Sequence, residues 1–507
     1  MTSELASNTA LVRVPIRTRG SPHAPVYAIS QMLRSFSGPV SIIDPVMYQP
    51  ALLDCLWNAS DHGNITSVLV SGEPVAPGNG LAVELVSKKK IGYFCTGFGA
   101  KASASHLFAG AIVLSEEDCA FLAVLAAENH LVTWESVLGA LVDRKPLTGM
   151  KLIRGDRGSI SIEVASMGGG SLATSCKLFY PASDQPLFVK EDNTQRMGKL
   201  VNEIGFLAGL PPAVRNHFPE VVRSDVTAGR ARLELVHYDL PSLRDAIIRG
   251  QVGVASAVVR MTSILDFLCR DVYPRNQRPA APDYLSRIHF QRILKRLDET
   301  QERLPELAQL WRADGLCING REYENIAGVL GRLAGASEII RRLTPKSTRL
   351  VHGDLHFDNI LIGADNESFV LVDPRGSGEL DVAYDLGKIL HSCSSLYDLI
   401  HEGHVDVDVS GRRITYAFTA PQLVQKYLEI RDLLLQRIKF TNIPKWEPNW
   451  LAQARFAEVA HMCSVMPFHI GNDRSQSIVI ASYARAVELI NGLCDLLPDV
   501  AAEMQLL

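Results

Sequence analysis

The chain has 507 residues, of which 47% are hydrophobic and 21% charged, with a net charge of −4. That length suits two or three domains with ample core, and the near-neutral balance gives no electrostatic footing for nucleic acid or an anionic membrane. The nine cysteines are odd in number and form no CxxC pair, which excludes a zinc site or a disulfide framework as the organising principle.

Reduced thiols in a cytoplasmic protein are therefore expected. No run of about 18 apolar residues occurs, so no transmembrane helix is expected. The N-terminus has no apolar core of signal-peptide length.

Residues 1–25 are polar and basic, with Pro15, Pro22 and Pro25, and read as a flexible arm. Residues 26–150 alternate helical and extended patterns. Strands are expected at 40–43, 66–70, 81–85 and 107–114. Helices are expected at 26–36 and 50–59, after Ser115, and at 132–141. Such alternation points to a smaller α/β domain. The stretches GPVSIIDPVMYQPALLDCL, KKIGYFCTGFGAKASASHLFAGAIVLSEEDC and HLVTWESVLGALVD resemble the second half of a sugar-nucleotidyltransferase domain. That resemblance would put Asp44 at a Mg²⁺-binding strand end. The glycine-rich nucleotide-binding opening of that family has no counterpart, however, and its second metal-binding Asp has no clear match. Residues 26–150 are thus read as a truncated, inactive module that serves a structural role or docks a protein partner. Asp44, before Pro45, is read as a turn or capping residue.

Residues 151–240 begin with an alternating strand at 159–165, then Gly168, Gly169 and Gly170, then a second strand at 174–180. A glycine turn between strands lets backbone N–H groups approach nucleotide phosphates. No GxxxxGK[ST] motif is present, which disfavours a P-loop. Lys190 ends a third strand at 187–190. Thirteen residues on, Glu203 lies in the apolar-periodic helix MGKLVNEIGFLAGL. A strand lysine held by a helix glutamate neutralises phosphate charge; each residue alone also reads as a solvated surface charge. Two further strands, at 218–222 and 231–236, precede a hinge near Tyr238–Pro241.

Residues 241–507 read as helix-rich, with helices at 252–269, 288–304, 323–343, 382–392, 422–438, 450–466 and 476–497. The helix at 288–304 should stop before Pro305 and that at 323–343 before Pro345. His461 and His469 flank Pro467 without a completing carboxylate, and read as ordinary histidines.

Within this region residues 349–391 carry the chemistry: RLVHGDLHFDNILIGADNESFVLVDPRGSGELDVAYDLGKILH. His352-Gly353-Asp354 is followed by Asn359, and Asp373 comes fourteen residues after Asn359. The runs 360–362 and 369–372 flank a polar turn, so the pattern is loop, strand, turn, strand, loop. The hairpin would bring Asn359 near Asp373, with Asp354 on the preceding loop. Phosphoryl transfer needs such a set: one carboxylate to orient the attacking hydroxyl or take its proton, and an amide oxygen with a second carboxylate for Mg²⁺. Asp354 is assigned as base or orienter, and Asn359 and Asp373 as metal ligands. Asp and Asn in turns are also simply turn residues.

The segment VHGDLHFDNILI resembles the catalytic loop of the aminoglycoside phosphotransferase and choline kinase group, the small-molecule branch of the protein-kinase-like fold. The following VDPRG departs from the commoner DFE or DWE ending of that group. The resemblance covers residues 150–500 and implies an α+β, bilobal fold. It comprises a β-rich N-lobe (151–240) with Gly168, Gly169, Gly170, Lys190 and Glu203 as nucleotide-binding residues, and a helical C-lobe (241–507). It implies ATP or GTP as co-substrate, Mg²⁺, and a small-molecule hydroxyl acceptor: a sugar, polyol or amino alcohol, in surface-polysaccharide biosynthesis. It also implies that Asp385 hydrogen-bonds the catalytic loop. A pseudokinase-like scaffold and a bifunctional nucleotidyltransferase-kinase remain as alternatives.

Overall fold

The computed structural model describes residues 185–493 apart from 195–196, 377 and 471–474, and before them Leu141 and the elements named below. The chain is a mixed helix-and-sheet protein that divides into two compact units. One is Met1–Glu191 with Glu234–His237; the other is Asp192–Leu233 with Tyr238–Leu507.

The first unit contains β1 (Val40–Ile43), β2 (Ser67–Ser71), β3 (Leu81–Leu85), β4 (Lys90–Thr96), β5 (His106–Leu114), α1 (Glu116–Ala127), β6 (Leu147–Arg154), β7 (Ile160–Ser166), β8 (Ser175–Pro181) and β9 (Leu187–Asp192). The strands follow the order β1-β5-β3-β4-β6-β7-β8-β9, with β2 paired to β5 and β6. The pairs from β6 to β9 are antiparallel, whereas β2 and β6 run parallel. The alternation in β7 sets Ile162 opposite Tyr180 and Val164 opposite Leu178. Ile112 and Leu114 of β5 and Leu122 of α1 are fully buried. Strands β4 and β6 form where no strand is expected; Gly92 and Gly149 interrupt their apolar runs. The helices expected at 26–36 and 50–59, most of that at 132–141, and Asp44 lie outside the described residues. So does the glycine turn Gly168–Gly170.

The second unit opens with α2 (Gly198–Gly209), whose Leu200, Phe206 and Leu207 are buried on one face. It continues through β10 (Val221–Thr227) and β11 (Arg230–Val236), α3 (Leu243–Ile248), α4 (Val254–Phe267), α5 (Gln291–Arg303), β12 (Gly315–Ile318), β13 (Arg321–Glu324), α6 (Ile326–Gly335) and α7 (Ser337–Leu343). The last residues of β11, Glu234–Val236, count with the first unit. Then come β14 (Ile360–Ile362), β15 (Phe369–Leu371), α8 (Val382–Cys393), β16 (Val405–Ser410), β17 (Arg413–Phe418), α9 (Pro421–Ile438), α10 (Trp450–His469) and α11 (Ser475–Leu493).

Three expectations for this unit need correction. The helix expected at 323–343 is a strand and two helices. Asn325 caps α6, its Oδ1 accepting from Ile326 N at 2.8 Å, and a second helix begins at Ser337. A four-stranded sheet, β13-β12-β17-β16, stands where only helices are expected. Its strand VDVDVS alternates apolar and acidic residues with period two. Pro467 does not separate His461 from His469, because all three lie in α10.

Two π-helical turns, Leu268–Val272 and Ser286–Phe290, adjoin α4 and α5. Each widens the helix locally, a feature often found at functional sites. Helices α8 and α10 meet backbone to backbone at Gly387. A Cβ there would stand 2.6 Å from Ala457 Cβ and 3.0 Å from the Ala457 carbonyl carbon. Every residue of α8 is buried. Among the described residues no helix is long and apolar enough to cross a membrane. Cys176, Cys269, Cys317, Cys393 and Cys463 are free thiols.

Candidate active site

The segment from Arg349 to Gly376 folds as loop, hairpin, loop. β14 and β15 pair antiparallel, with Ile360 opposite Leu371 and Ile362 opposite Phe369. Their apolar side chains face the core, Ile360 and Leu371 being fully buried. Asp365 closes the turn by accepting from Glu367 N at 2.8 Å and Ser368 Oγ at 2.7 Å, which is the way Asp makes a turn locally. The hairpin edges are pinned by Ile362 N to Pro241 O at 3.0 Å and Leu371 N to His217 O at 2.8 Å.

This pairing brings the ends together as expected. Val372 N donates to Asn359 O at 3.0 Å, so Asp373 directly follows the residue opposite Asn359. Asn359 Nδ2 donates to the Asp354 carbonyl at 2.9 Å. That bond uses the amide nitrogen and turns Oδ1 away from it. Asp373 has φ = 61°, a left-handed conformation rare outside glycine and common at functional sites. Arg375 N returns to His352 O at 2.8 Å. Asp354, Asn359 and Asp373 thus belong to one hydrogen-bonded loop system. Gly353, at φ = 82°, is required at the turn, because a Cβ there would stand 2.8 Å from Arg375 Cβ.

The turn is held from α8. Asp385 accepts from Gly353 N at 2.7 Å, His352 N at 2.9 Å and the Tyr273 hydroxyl at 3.1 Å. This is the loop contact expected of it. Burial pushes its carboxyl up to about 7, against the opposing pull of those donors. One turn further along α8, Lys388 reaches Asp354 Oδ1 at 2.7 Å. Burial alone would raise the Asp354 carboxyl, but the Lys388 ammonium outweighs it and holds the group well below the usual carboxylate range. His356 is pushed down to about 4 by burial, partly opposed by Asp354. It is therefore neutral at pH 7; its backbone N–H donates to Asp354 O at 2.9 Å and braces the loop. Asp358 is fixed by Arg244 at 3.0 Å.

Lys388 escapes sequence reading, though a signal was present. It lies three residues after Asp385, on the same helical face. A lysine in a helix with no solvated side needs a charged partner. Tyr384, Lys199 and Arg292, which also gather beside this loop, carry no motif.

Lys190 is the fourth residue of β9 and is 2% exposed, with its ammonium 5.8 Å from the Phe188 ring centre. It belongs to the first unit. Glu203, 7% exposed, lies in α2 of the second. Within that unit α2 touches the loop after Asp373: Gly376 adopts φ = 69°, and a Cβ there would stand 2.1 Å from Asn202 O and 3.0 Å from Glu203 N. A cavity of about 530 Å³, lined by Arg278, Lys346, Arg349, Lys445 and Trp446 among others, includes none of the predicted residues.

Among the described residues no group of three His, Cys, Asp or Glu side chains could cage a metal. Asn359 and Asp373, the expected ligands, offer one amide oxygen and one carboxylate, both hard donors. That pair suits Mg²⁺, which takes few protein ligands and keeps several waters, rather than Zn²⁺.

The phosphotransferase enzyme family matches residues 260–413, the segment that contains this loop. No curated protein matches the chain in sequence. A solved structure from Haemophilus somnus 129PT, described provisionally as a fructosamine-3-kinase, superposes with a TM-score of 0.36 at 10% identity, covering 65% of this chain and 90% of that one. That likeness is too loose to bear on fold or substrate. On the family match the chain is a phosphotransferase of the kinase type.

Proposed function

We propose that the chain transfers the γ-phosphoryl group of ATP or GTP to a hydroxyl of a small molecule. The acceptor class is a sugar, polyol or amino alcohol, with surface-polysaccharide building as the setting that the sequence resemblance suggests. The observation that carries the proposal is the loop in which Asn359 and the residue before Asp373 are hydrogen-bonded neighbours while Lys388 grips Asp354. The fold proposed with it is bilobal and kinase-like, following a smaller α/β domain.

In this reading the acceptor hydroxyl donates to the Asp354 carboxylate, which aims its oxygen at the γ-phosphorus. The new P–O bond forms as the bond to the β–γ bridging oxygen breaks, and the nucleoside diphosphate leaves. Lys388 makes Asp354 a weak base. Its main work is therefore orientation, and the hydroxyl proton departs late, to the carboxylate or to solvent. Asn359 and Asp373 would hold Mg²⁺, which supplies charge neutralisation on the phosphates. Gly168, Gly169, Gly170, Lys190 and Glu203 take the nucleotide-binding roles that the resemblance gives them.

The test is nucleoside diphosphate release across a panel of hydroxyl acceptors. Asp354→Asn should cut turnover by roughly 10²–10⁴-fold, and Asp373→Asn should abolish Mg²⁺-dependent turnover. Full activity in either variant would refute the assignment.

A further inference from the structure

Beside Asp354, two aromatic rings gather four cations. Arg292 and Arg375 both donate to the Tyr384 hydroxyl, their guanidinium carbons 5.6 and 5.5 Å from its ring centre. Arg296 and Lys199 approach Phe468, at 5.0 and 5.7 Å. All six residues belong to the second unit. Arg296 is paired with Glu299. Among the described residues, Lys199, Arg292 and Arg375 form no ion pair with a carboxylate. Asp354 attracts Lys199 and Arg292 electrostatically, but its contact is taken by Lys388.

The neighbours register this excess of positive charge. His289 is pushed down to about 3, by burial first and then by Arg292 and Arg375. The Lys199 side chain is exposed along its length, yet desolvation of its ammonium first, and then Arg375, Arg296 and Arg292, lower it to about 8 against the pull of Asp354. Cations held together without carboxylates repel one another. Such a group is poor scaffolding and a good receptor: guanidinium forks match carboxylate and phosphate oxygens. The DPR ending adds to it, since Arg375 stands where the commoner DFE ending carries an acid.

We propose that the hydroxyl acceptor is an anion, a small polyol or sugar bearing a carboxylate or phosphate, whose charge is held by Lys199, Arg292 and Arg375 beside Asp354. This narrows the acceptor class named above and rests on that reading of Asp354. It disfavours amino alcohols, whose ammonium the cluster repels.

The test offers the full chain matched acceptors: glycerol, glycerate and glycerol 3-phosphate; glucose, glucuronate and glucose 6-phosphate; and glucosamine as the cationic control. Diphosphate release with MgATP and MgGTP is followed, with calorimetric binding of each compound in parallel. Binding and turnover should be confined to the anionic members, and preference between carboxylate and phosphate identifies the group. Arg292→Gln and the exposed-site variant Lys199→Gln should each weaken the anionic acceptor about tenfold to a hundredfold, with little change in nucleotide KM. The proposal fails if neutral compounds or glucosamine are preferred, if no anion binds, or if nucleotide KM rises as far as acceptor KM. In that last case the cluster serves the nucleotide phosphates. Turnover of neutral acceptors would remove this proposal and leave the kinase reading standing. Arg292-dependent anion binding without any nucleotide turnover would do the reverse.

Discussion

Helix α8 presents adjacent residues to two differently balanced regions. Asp385 enters a network in which three donors converge on its carboxylate, and Lys388 on the same helix is matched to Asp354. Tyr384, its immediate neighbour, enters a cluster in which Arg292 and Arg375 share one hydroxyl and, among the described residues, no carboxylate pairs with either guanidinium. The first region is satisfied by the chain itself, as buried polar groups must be if they are to hold a fold. The second is not, and stability gives no reason for it. A protein tolerates unbalanced charge where a ligand completes it.

That contrast can be broken by substitution. Asp385→Ala leaves two backbone N–H groups and a tyrosine hydroxyl without an acceptor. It should cost about 3 kcal/mol or more, read as a lower denaturant midpoint, with turnover falling because the His352–Asp354 turn loosens. Arg292→Gln should do the opposite to stability. Removing one of several repelling cations should leave the midpoint unchanged or raise it by up to about 1 kcal/mol. A large loss there would show that the cluster is structural after all. The smallest effect concerns pH. Lys199, lowered to about 8, loses its charge as pH rises through that value. The charged groups that face it are Arg375, Arg292, Arg296 and Asp354. KM for an anionic acceptor should therefore climb a few-fold above pH 8. Lys199→Arg, which stays protonated, should flatten the profile.

How much of this was legible beforehand follows the range of the interactions. The HGD, Asn359 and Asp373 pattern is local: one hairpin with β-branched and aromatic strands brings the ends together whatever surrounds it. Asp385 was reached through the family resemblance, since by its position alone it is an acid in the first turn of a helix. Strand β3 falls where alternation puts it, at Leu81–Leu85. Lys388 could have been inferred from the apolar company of its helix. The cation cluster could not, since Lys199, Arg292 and Arg375 come from three separate elements and meet only through tertiary packing. Sheet β13-β12-β17-β16 was missed for another reason. VDVDVS has the right period, but its acidic residues suppress the propensity signal that marks strands.

The π-helical turn Ser286–Phe290 ends one residue before α5 begins. An α-helix advances about 100° for each residue, and a π-turn holds one residue more than the regular spiral would. Winding the same residues as a regular spiral, with none removed, would swing Arg292 and Arg296 round the axis by about that angle, away from Tyr384 and Phe468. On the anionic-acceptor proposal, selectivity would then hinge on the phase of one helix, set by whether the π-turn forms and by no residue of the loop bearing Asp354.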